Sequence, residues 1–322
     1  MDKKIVVIGG GTGQSKVIRA LKEDITNLSA IVTMADDGGS TGRLRKYHNA
    51  PAVGDLRQCL AAFADEDKLL TRVFPHRFGN NRWGNGAQDI EGHVTGNIIL
   101  VALVDVFGGL REGISAAARS MGIKPTHGVF PSTFDNIVLK ARLKNDGVIV
   151  GQHNISHRIP RAKKFRIEKL SLECQTPGVS TVRANPEAIS KILAADLVVI
   201  GPGALHGSVL PNLLIPGIKN AVLKSKAKKV YIANTAIKLS ETRGFNLDDH
   251  VDSLLNNTNK KIVDLVLVNN KKIQFRKPIQ MLMTDNACVC GIPVTQADLV
   301  DETDVFSHDP VKLRSALLRL VD

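Results

Sequence analysis

The pattern of apolar and polar positions at the start of the chain is typical of a parallel α/β protein. Residues 4–8, KIVVI, form a short β-branched run, and glycines follow it directly. Apolar residues in 15–22, SKVIRALK, recur at helical spacing, and a second apolar run, AIVTMA, occupies 30–35. Because parallel neighbouring strands need a crossover, this strand, helix, strand order predicts a parallel sheet.

Alternating helix and strand patterns occur again in the last third of the chain. A helix is predicted there with Asn185 as its N-cap, Pro186 at its first position and Glu187 in its first turn. Apolar strand-like runs follow at 197–200, 228–236 and 261–270.

The middle of the chain differs from both ends. Residues 51–125 carry apolar positions at helical spacing, whereas 126–183 hold short strand-like runs. The pattern predicts an α/β fold with a parallel sheet core, a helical insertion and a small β element. We predict one domain over 1–322, with the core in about 1–50 and 184–322 and the insertion in about 51–183.

A Gly- and Asn-rich segment, FGNNRWGNGAQDIEG (78–92), separates two predicted helices. Long loops of this composition are often functional, so we predict a mobile or lid segment here.

The charge and the aromatic content of the chain indicate which kind of molecule it binds. The chain has 43 basic and 31 acidic residues, a net charge of +12, which attracts nucleic acids or phosphorylated metabolites. Aromatic residues make up only 4% and no nucleic-acid module is recognisable, which argues against a nucleic-acid partner. We therefore expect a small phosphorylated ligand.

Several features predict a cytoplasmic protein without a membrane span. No apolar run approaches the ~20 residues that cross a bilayer, and MDKK leads straight into a strand without a signal-peptide pattern. The cysteines form neither a zinc set nor a disulfide framework, which predicts free thiols: Cys59, Cys174, Cys288 and Cys290.

The first candidate site is the glycine loop GGGTGQS (9–15). A strand that opens through glycines into a helix directs main-chain N–H groups toward an anion. The loop departs from the dinucleotide fingerprint because Gln14 occupies the place of the third glycine, and a simple tight turn stays an alternative. The candidate phosphate-binding residues are Gly10, Gly11, Thr12 and Gly13.

The second candidate site is DDGGSTGR (36–43). Asp36 follows the second strand, where a doubly wound fold keeps the acid that binds a ribose. Asp36 and Asp37 could instead hold Mg²⁺, with Asp37 as the metal ligand, and they are the candidate catalytic residues of an enzyme. Only one acid is expected to face the site, since successive side chains alternate, and a solvent-facing turn remains the alternative. Ser40 belongs to the same candidate site.

The third candidate site is GPGALHGSVLPN (201–212), a second glycine loop after a strand. Two such loops at different strand ends predict a crevice at the switch point of an open sheet. Its candidate binding residues are Gly201, Gly203, Ala204 and Asn212, with Asn234 on the same rim.

A fourth motif, GHVTGN (92–97), places His93 and Asn97 four residues apart, on one helix face. Either could contact a ligand, although a single helical histidine is more often structural. Neither an HExxH nor a GxSxG motif is present, so nucleophilic hydrolysis has no support.

Taken in order, GGGTGQS, MADDGGSTGRLR, GDLRQCLAAFAD, GHVTGNIIL and NPEAISKILAADLVVIGPGALHGSVLPNLL resemble the CofD-like superfamily. Within it, the chain is most similar to the gluconeogenesis factor (YvcK) family, from about residue 4 to the C-terminus. Matching motif positions are Gly10, Gly11, Thr12, Gly13, Asp36, Asp37, Ser40, Asn97, Gly201, Gly203 and Asn212.

The resemblance implies a Rossmann-like core and a cleft for a nucleotide-type ligand. Members of the gluconeogenesis factor family bind UDP-N-acetylglucosamine or a dinucleotide and support growth and cell shape on gluconeogenic carbon. We accordingly expect a regulatory nucleotide-sugar-binding protein, with a homo-oligomer left open. The alternative is a Mg²⁺-dependent transferase of a phospholactate-type group from a nucleotide-diphosphate donor, which the other branch of the superfamily implies.

Overall fold

The computed structural model describes residues 1–79, 90–144, 147–158, 167–237, 242–259, 261–273 and 279–321. Most of the predicted lid segment at 78–92 lies outside these ranges.

A large, mostly parallel sheet forms the centre of the described chain. Its strands are β1 (Lys4–Gly9), β2 (Asn27–Val32), β3 (Gly128–Pro131), β7 (Leu197–Ile200), β8 (Lys228–Ile232), β9 (Leu265–Asn269), β10 (Cys288–Val289) and β11 (Ile292–Ala297). Their order in the sheet is β10-β11-β9-β8-β7-β1-β2-β3, and β10 alone among these strands pairs antiparallel to its neighbour. The predicted α/β fold with a parallel core is therefore confirmed.

The central strands are apolar because helices cover both sheet faces. In β1, Ile5, Val7 and Ile8 are completely buried. Val7 lies opposite Ala30 of β2 on one side and Val199 of β7 on the other. Every residue of this strand after Lys4 faces protein, which is why its sequence shows no polar alternation.

Strand β1 also marks the reversal of strand order. From it the chain builds β2 and β3 toward one edge, then returns with β7, β8 and β9 toward the other. At such a switch point open α/β sheets bind ligands in a crevice outside the carboxyl ends of the strands. The loops concerned here follow β1 and β7.

Twelve helices are described. Their bounds are α1 (Gly11–Leu21), α2 (Gly39–His48), α3 (Val53–Phe63), α4 (Leu69–Val73), α5 (Thr95–Phe107), α6 (Leu110–Ser120), α7 (Gln152–Arg158), α8 (Pro186–Leu193), α9 (Leu210–Leu214), α10 (Pro216–Lys224), α11 (Leu247–Asn257) and α12 (Pro310–Val321). None of these helices has the length and apolar character needed to cross a membrane.

Helix α8 begins as its sequence predicts. The side chain of Asn185 accepts a hydrogen bond from the Glu187 amide at 3.0 Å, and Pro186 occupies the first helical position. The cap satisfies one of the amides that a helix start leaves without an intrahelical partner.

The segment predicted as an insertion contributes to both sheets. Strands β4 (Ile137–Leu143), β5 (Val148–Val150) and β6 (Ile167–Cys174) form a separate antiparallel sheet in the order β5-β4-β6. Strand β3, from the same part of the chain, instead pairs with β2 in the large sheet. It has four residues and ends at a proline, so it offers little apolar pattern from which its pairing could be read.

Candidate functional site

The two glycine loops touch each other at the switch point. A Cβ at Gly13 would collide with the Pro202 carbonyl oxygen and would lie 3.0 Å from Gly203 Cα. The Gly201 amide donates to the Ile8 carbonyl at 2.9 Å, which joins the ends of β7 and β1. The loops predicted at 9–13 and 201–206 therefore lie side by side at the carboxyl edge of the sheet.

Asn212 fastens the second loop to the first strand. It lies in α9 and is fully buried. Its Nδ2 donates to the Gly9 carbonyl at 2.9 Å and to the Ser208 carbonyl at 2.8 Å. Its Oδ1 has no hydrogen-bond partner among the described residues, which leaves one buried acceptor at the crevice.

The rest of the β7 loop is organised by the main chain and by Asn234. The Gly203 amide donates to Asn234 Oδ1 at 3.2 Å, so this amide is already engaged within the protein. The Ala204 carbonyl accepts from the Ser208 and Val209 amides and begins a π-helical turn, Leu205–Val209. Such turns occur frequently at functional sites.

Asp36 lies in the turn after β2, partly buried against α3. Its Oδ1 accepts the Gly38 amide at 3.0 Å, and Arg45 Nη1 donates to its main-chain carbonyl at 2.8 Å. Burial raises the pKa of Asp36, while hydrogen bonds from the Gly38 amide and the Thr41 hydroxyl oppose that rise. A Cβ at Gly54 would lie 2.7 Å from Asp36 Oδ2, so the close approach of α3 to this carboxylate requires glycine.

Asp37 contacts a different part of the protein. Its Oδ1 accepts the His153 amide at 2.7 Å and its Oδ2 the Gln152 amide at 3.2 Å. The carboxylate thus caps the first turn of α7. Across the described ranges no three His, Cys, Asp or Glu side chains are arranged to hold a metal ion, and Asp37 as a metal ligand stays a prediction.

Ser40 and Asn97 belong to a buried hydrogen-bond network. Ser40 Oγ accepts from the Val94 amide at 3.2 Å and from Asn97 Nδ2 at 3.1 Å, and contacts His93 Nδ1 at 3.1 Å. Asn97 Oδ1 accepts from Arg57 Nε at 3.0 Å. Because Ser40 Oγ already accepts two hydrogen bonds, its hydroxyl is left to donate to His93 Nδ1. Burial lowers the pKa of His93. The network ties α2 to the start of α5.

Sequence reasoning missed Asp55, in the first turn of α3. A Cβ at Gly10 would collide with Asp55 Oδ2, and one at Gly11 would lie 3.3 Å from Oδ1. Nearby, Thr12 Oγ1 donates to Gln58 Oε1 at 3.1 Å. The available signal was an acid directly after a glycine at a helix start, but nothing in the sequence connects it to residue 10.

The family comparison matches most of the chain. The model of the family described as "2-phospho-L-lactate transferase CofD" matches residues 5–290. The "Gluconeogenesis factor" of Halalkalibacterium halodurans is 36% identical over 327 residues, covering 98% of this chain and 96% of that protein. The "Gluconeogenesis factor" of Bacillus subtilis is 34% identical over 329 residues, with coverages of 99% and 98%.

A solved structure shares the fold over the same extent. The crystal structure of a UPF0052 family member from Bacillus halodurans superposes with a TM-score of 0.86 at 34% sequence identity. It covers 99% of this chain and 100% of that one. The motifs, the family match and these full-length relatives agree, so this chain belongs to the CofD family and, within it, to the gluconeogenesis factor (YvcK) group.

Proposed function

We propose that the crevice between the β1 and β7 loops binds a nucleotide sugar of the UDP-N-acetylglucosamine kind, with a dinucleotide as the other candidate ligand. The observation that carries the proposal is the contact of two glycine loops at the switch point, where Gly13 abuts Pro202 and Gly203. Open α/β sheets bind nucleotides at this place.

Each part of the crevice suits one part of such a ligand. Main-chain amides of the two loops are suited to the diphosphate, because glycines let it approach the backbone closely. Asp36 lies in the turn after β2, and in doubly wound folds an acid that follows the second strand binds a ribose, which supports a ribose contact for Asp36. The basic excess of the chain favours an anionic ligand at long range.

Thermal unfolding with added ligand tests the proposal. A ligand at a hundred times its Kd adds ~2.7 kcal/mol to the free energy of unfolding, which raises Tm by several degrees. We expect UDP-N-acetylglucosamine to raise Tm in wild type and to do so less in Gly13→Ala, with Asn256→Ala, at an exposed position of α11, as the control. If no UDP-sugar or dinucleotide changes Tm at millimolar concentration, the proposal is wrong.

The names of similar proteins support a proposal for the biological role. Because similar full-length proteins carry the name gluconeogenesis factor, we propose a cytoplasmic regulator that supports growth and cell shape on gluconeogenic carbon. Deleting the gene should slow growth and deform cells on such carbon sources while leaving growth on glucose normal. Equal growth on both would exclude this role.

The second candidate is a Mg²⁺-dependent transferase, which the description of the matching family supports. Mg²⁺ held by Asp37, with Asp36 beside it, would stabilise the negative charge that develops on a leaving phosphate. Incubation with a GDP-linked phospholactate, an acceptor and Mg²⁺ should then release GMP, and Asp36→Asn and Asp37→Asn should abolish release. No GMP above a protein-free blank would exclude this reaction.

A homo-oligomer remains a prediction. Helix α5 gives it some support, since Val106 is 77% exposed and Phe107 47% exposed at its end. Light scattering on the purified protein measures the assembly directly, and a mass of 34.8 kDa would mean a monomer.

A further inference from the structure

A cavity of about 450 Å³ opens at the amino edge of the large sheet. It lies where α1 and α3 end and where the chain enters β3, and its lining includes Lys22, Phe63, Asp65, Gly122 and His127. Because β1, β2 and β3 are parallel, this edge is opposite the carboxyl edge that carries the two glycine loops. The volume is typical of pockets that hold small molecules.

Two rings supply an apolar part of the lining. The ring centroids of Phe63 and His127 lie 5.3 Å apart, and both side chains are largely buried. His127 Nδ1 accepts the Leu28 amide at 3.4 Å, so Nε2 carries the proton and donates to the Lys22 carbonyl at 3.1 Å. Since both ring nitrogens are engaged, His127 offers a ligand its ring surface and no polar atom.

Lys22 and Asp65 bring opposite charges to this cavity. Lys22 Nζ donates to the Ala64 carbonyl at 3.0 Å, which uses only one of the donors of its ammonium group. The Asp65 amide donates to the Met121 carbonyl at 3.0 Å, and Asp65 Oδ1 accepts the Asp67 amide at 3.0 Å. Within the described ranges, neither side chain forms an ion pair with the other or with a third residue.

The other charged side chains of the lining already have partners of opposite charge. Lys124 Nζ lies 3.2 Å from Glu23 Oε2, and Arg19 Nη1 lies 3.6 Å from Glu66 Oε1. A ligand in the cavity therefore meets one cation and one anion that the described part of the chain leaves without a counter-charge.

This charge pattern selects one class of ligand. A molecule with a single charge would be attracted to one of the two groups and repelled by the other, whereas each charge of a zwitterion can lie beside its opposite. One lysine balances a carboxylate, which carries one negative charge, better than a phosphate, which carries up to two. The rings of Phe63 and His127 suit an apolar side chain.

We propose that this cavity binds a zwitterionic α-amino acid with an apolar side chain. Its carboxylate lies beside Lys22 Nζ, its ammonium group beside Asp65 Oδ2, and its side chain against the rings of Phe63 and His127. The inference does not rest on the proposed nucleotide site, which lies at the other edge of the sheet. It gives the protein a second site for a different class of ligand.

Amide NMR titration of the whole protein near neutral pH tests the proposal with three matched probes. They are L-phenylalanine, phenethylamine, which lacks its carboxylate, and phenylpropanoate, which lacks its ammonium group. L-leucine and L-methionine extend the test to other apolar side chains. The variants are Lys22→Met and Asp65→Asn, with Lys169→Met and Asp105→Asn as controls at exposed positions of β6 and α5.

In wild type, L-phenylalanine should shift the Asp65 and Gly122 amides at millimolar concentration. It should bind about three- to tenfold more tightly than either analogue, because each analogue loses one charge-assisted contact at a partly exposed site. In Lys22→Met, L-phenylalanine and phenethylamine should bind equally, since the carboxylate has lost its partner. In Asp65→Asn, L-phenylalanine and phenylpropanoate should bind equally. Both controls should match wild type.

Three results in wild type would overturn the inference. These are no binding of any of the three amino acids, an analogue that binds as tightly as L-phenylalanine, and amide shifts in the 9–13 loop instead of at this cavity. In the variants, an equal weakening of all three probes would also contradict it, because the charges would then not be read separately.

Spectra that are unchanged away from the substitution establish that each variant is folded. Should a variant unfold, the comparison of the three probes in wild type still decides. None of these outcomes bears on nucleotide binding, which is measured with different ligands at the opposite edge of the sheet.

Discussion

The side-chain amide of Asn212 donates a hydrogen bond to the main-chain carbonyl of Gly9 at 2.9 Å, across 203 positions of sequence. This bond joins the helix after the second glycine loop to the strand before the first. The same Nδ2 also donates to the Ser208 carbonyl, so one buried amide group sets the spacing of both loops.

Replacing Asn212 with alanine should therefore destabilise the protein. The Gly9 and Ser208 carbonyls each lose the Asn212 donor, although the Gly9 carbonyl keeps its hydrogen bond from the Thr33 amide at 3.0 Å, and each lost hydrogen bond costs about 0.5–1.5 kcal/mol. We expect the free energy of unfolding, measured with urea, to fall by about 2 kcal/mol or more. Asn256→Ala is the control, because the exposed Asn256 amide bonds to the exposed Asp252 carboxylate, and the substitution should cost under about 0.5 kcal/mol. Equal effects of the two variants would contradict the role of Asn212.

A methyl group at residue 13 should separate the two loops. In Gly13→Ala the new Cβ meets the Pro202 carbonyl, which is main chain and cannot move alone. Overpacking of this kind costs about 1–3 kcal/mol, so Tm should fall, and affinity for a nucleotide sugar should fall with it. Asn256→Ala should change both little, since the Asn256 side chain is exposed and lies outside the two loops. A Gly13→Ala protein with wild-type Tm would show that the loops are not in contact.

Two buried histidines should make stability fall in mild acid. Burial lowers the pKa of His250 and of His308 from 6.5 to about 4. Between these values the unfolded chain binds a proton that the folded chain does not. The free energy of unfolding therefore has its full value above about pH 6.5 and decreases as the pH falls toward 4. Each histidine lowers it by at most about 3 kcal/mol.

Single variants separate the contributions of the two histidines to this pH dependence. The free energy of unfolding is measured in urea from pH 7.5 to 4.5 and plotted against pH. His250 has no hydrogen-bond partner in the described chain, so His250→Phe should reduce the slope with little loss of stability at pH 7.5. His308 Nε2 donates to the Ala233 carbonyl at 3.1 Å, so His308→Phe should reduce the slope and also destabilise at pH 7.5. An unaltered slope in both variants would rule out these groups as its source.

Loss of the Asp37 carboxylate should loosen the start of α7. Asp37→Ala removes the acceptor of the Gln152 and His153 amides, a cap worth about 1 kcal/mol. Hydrogen exchange should become faster at these two amides, whereas Asp67→Ala should leave it unchanged. If Asp37 acts chiefly as a metal ligand, the variant would instead keep normal exchange and lose any Mg²⁺-dependent rise in Tm.

The sequence predicts where much of the candidate site lies, but it does not predict which residues of the site contact each other. The glycine loops were predicted at strand ends, and the structure places both at the switch point. Asp36 and Asp37 were identified as alternating acids, yet their partners, Gly38 for one and α7 for the other, follow from tertiary packing. Asp55 was missed because its relation to Gly10 exists only after α3 packs against α1 and β2.

The sequence alone determined those features whose causes are local. Runs such as KIVVI predict buried strands, Asn185 with Pro186 starts a helix, and glycines after a strand predict a tight loop. Each of these patterns depends on only a few neighbouring residues, so it can be interpreted without knowledge of the rest of the chain.

Tertiary structure decided which of these local elements meet. The sequences of the strands do not predict that β1 lies between β2 and β7, because all three are apolar and pair through the same main-chain groups. That order brings Gly9 to Asn212 and Gly13 to Pro202. Contacts between distant residues depend on packing of the whole core, and the shape of the crevice depends on those contacts.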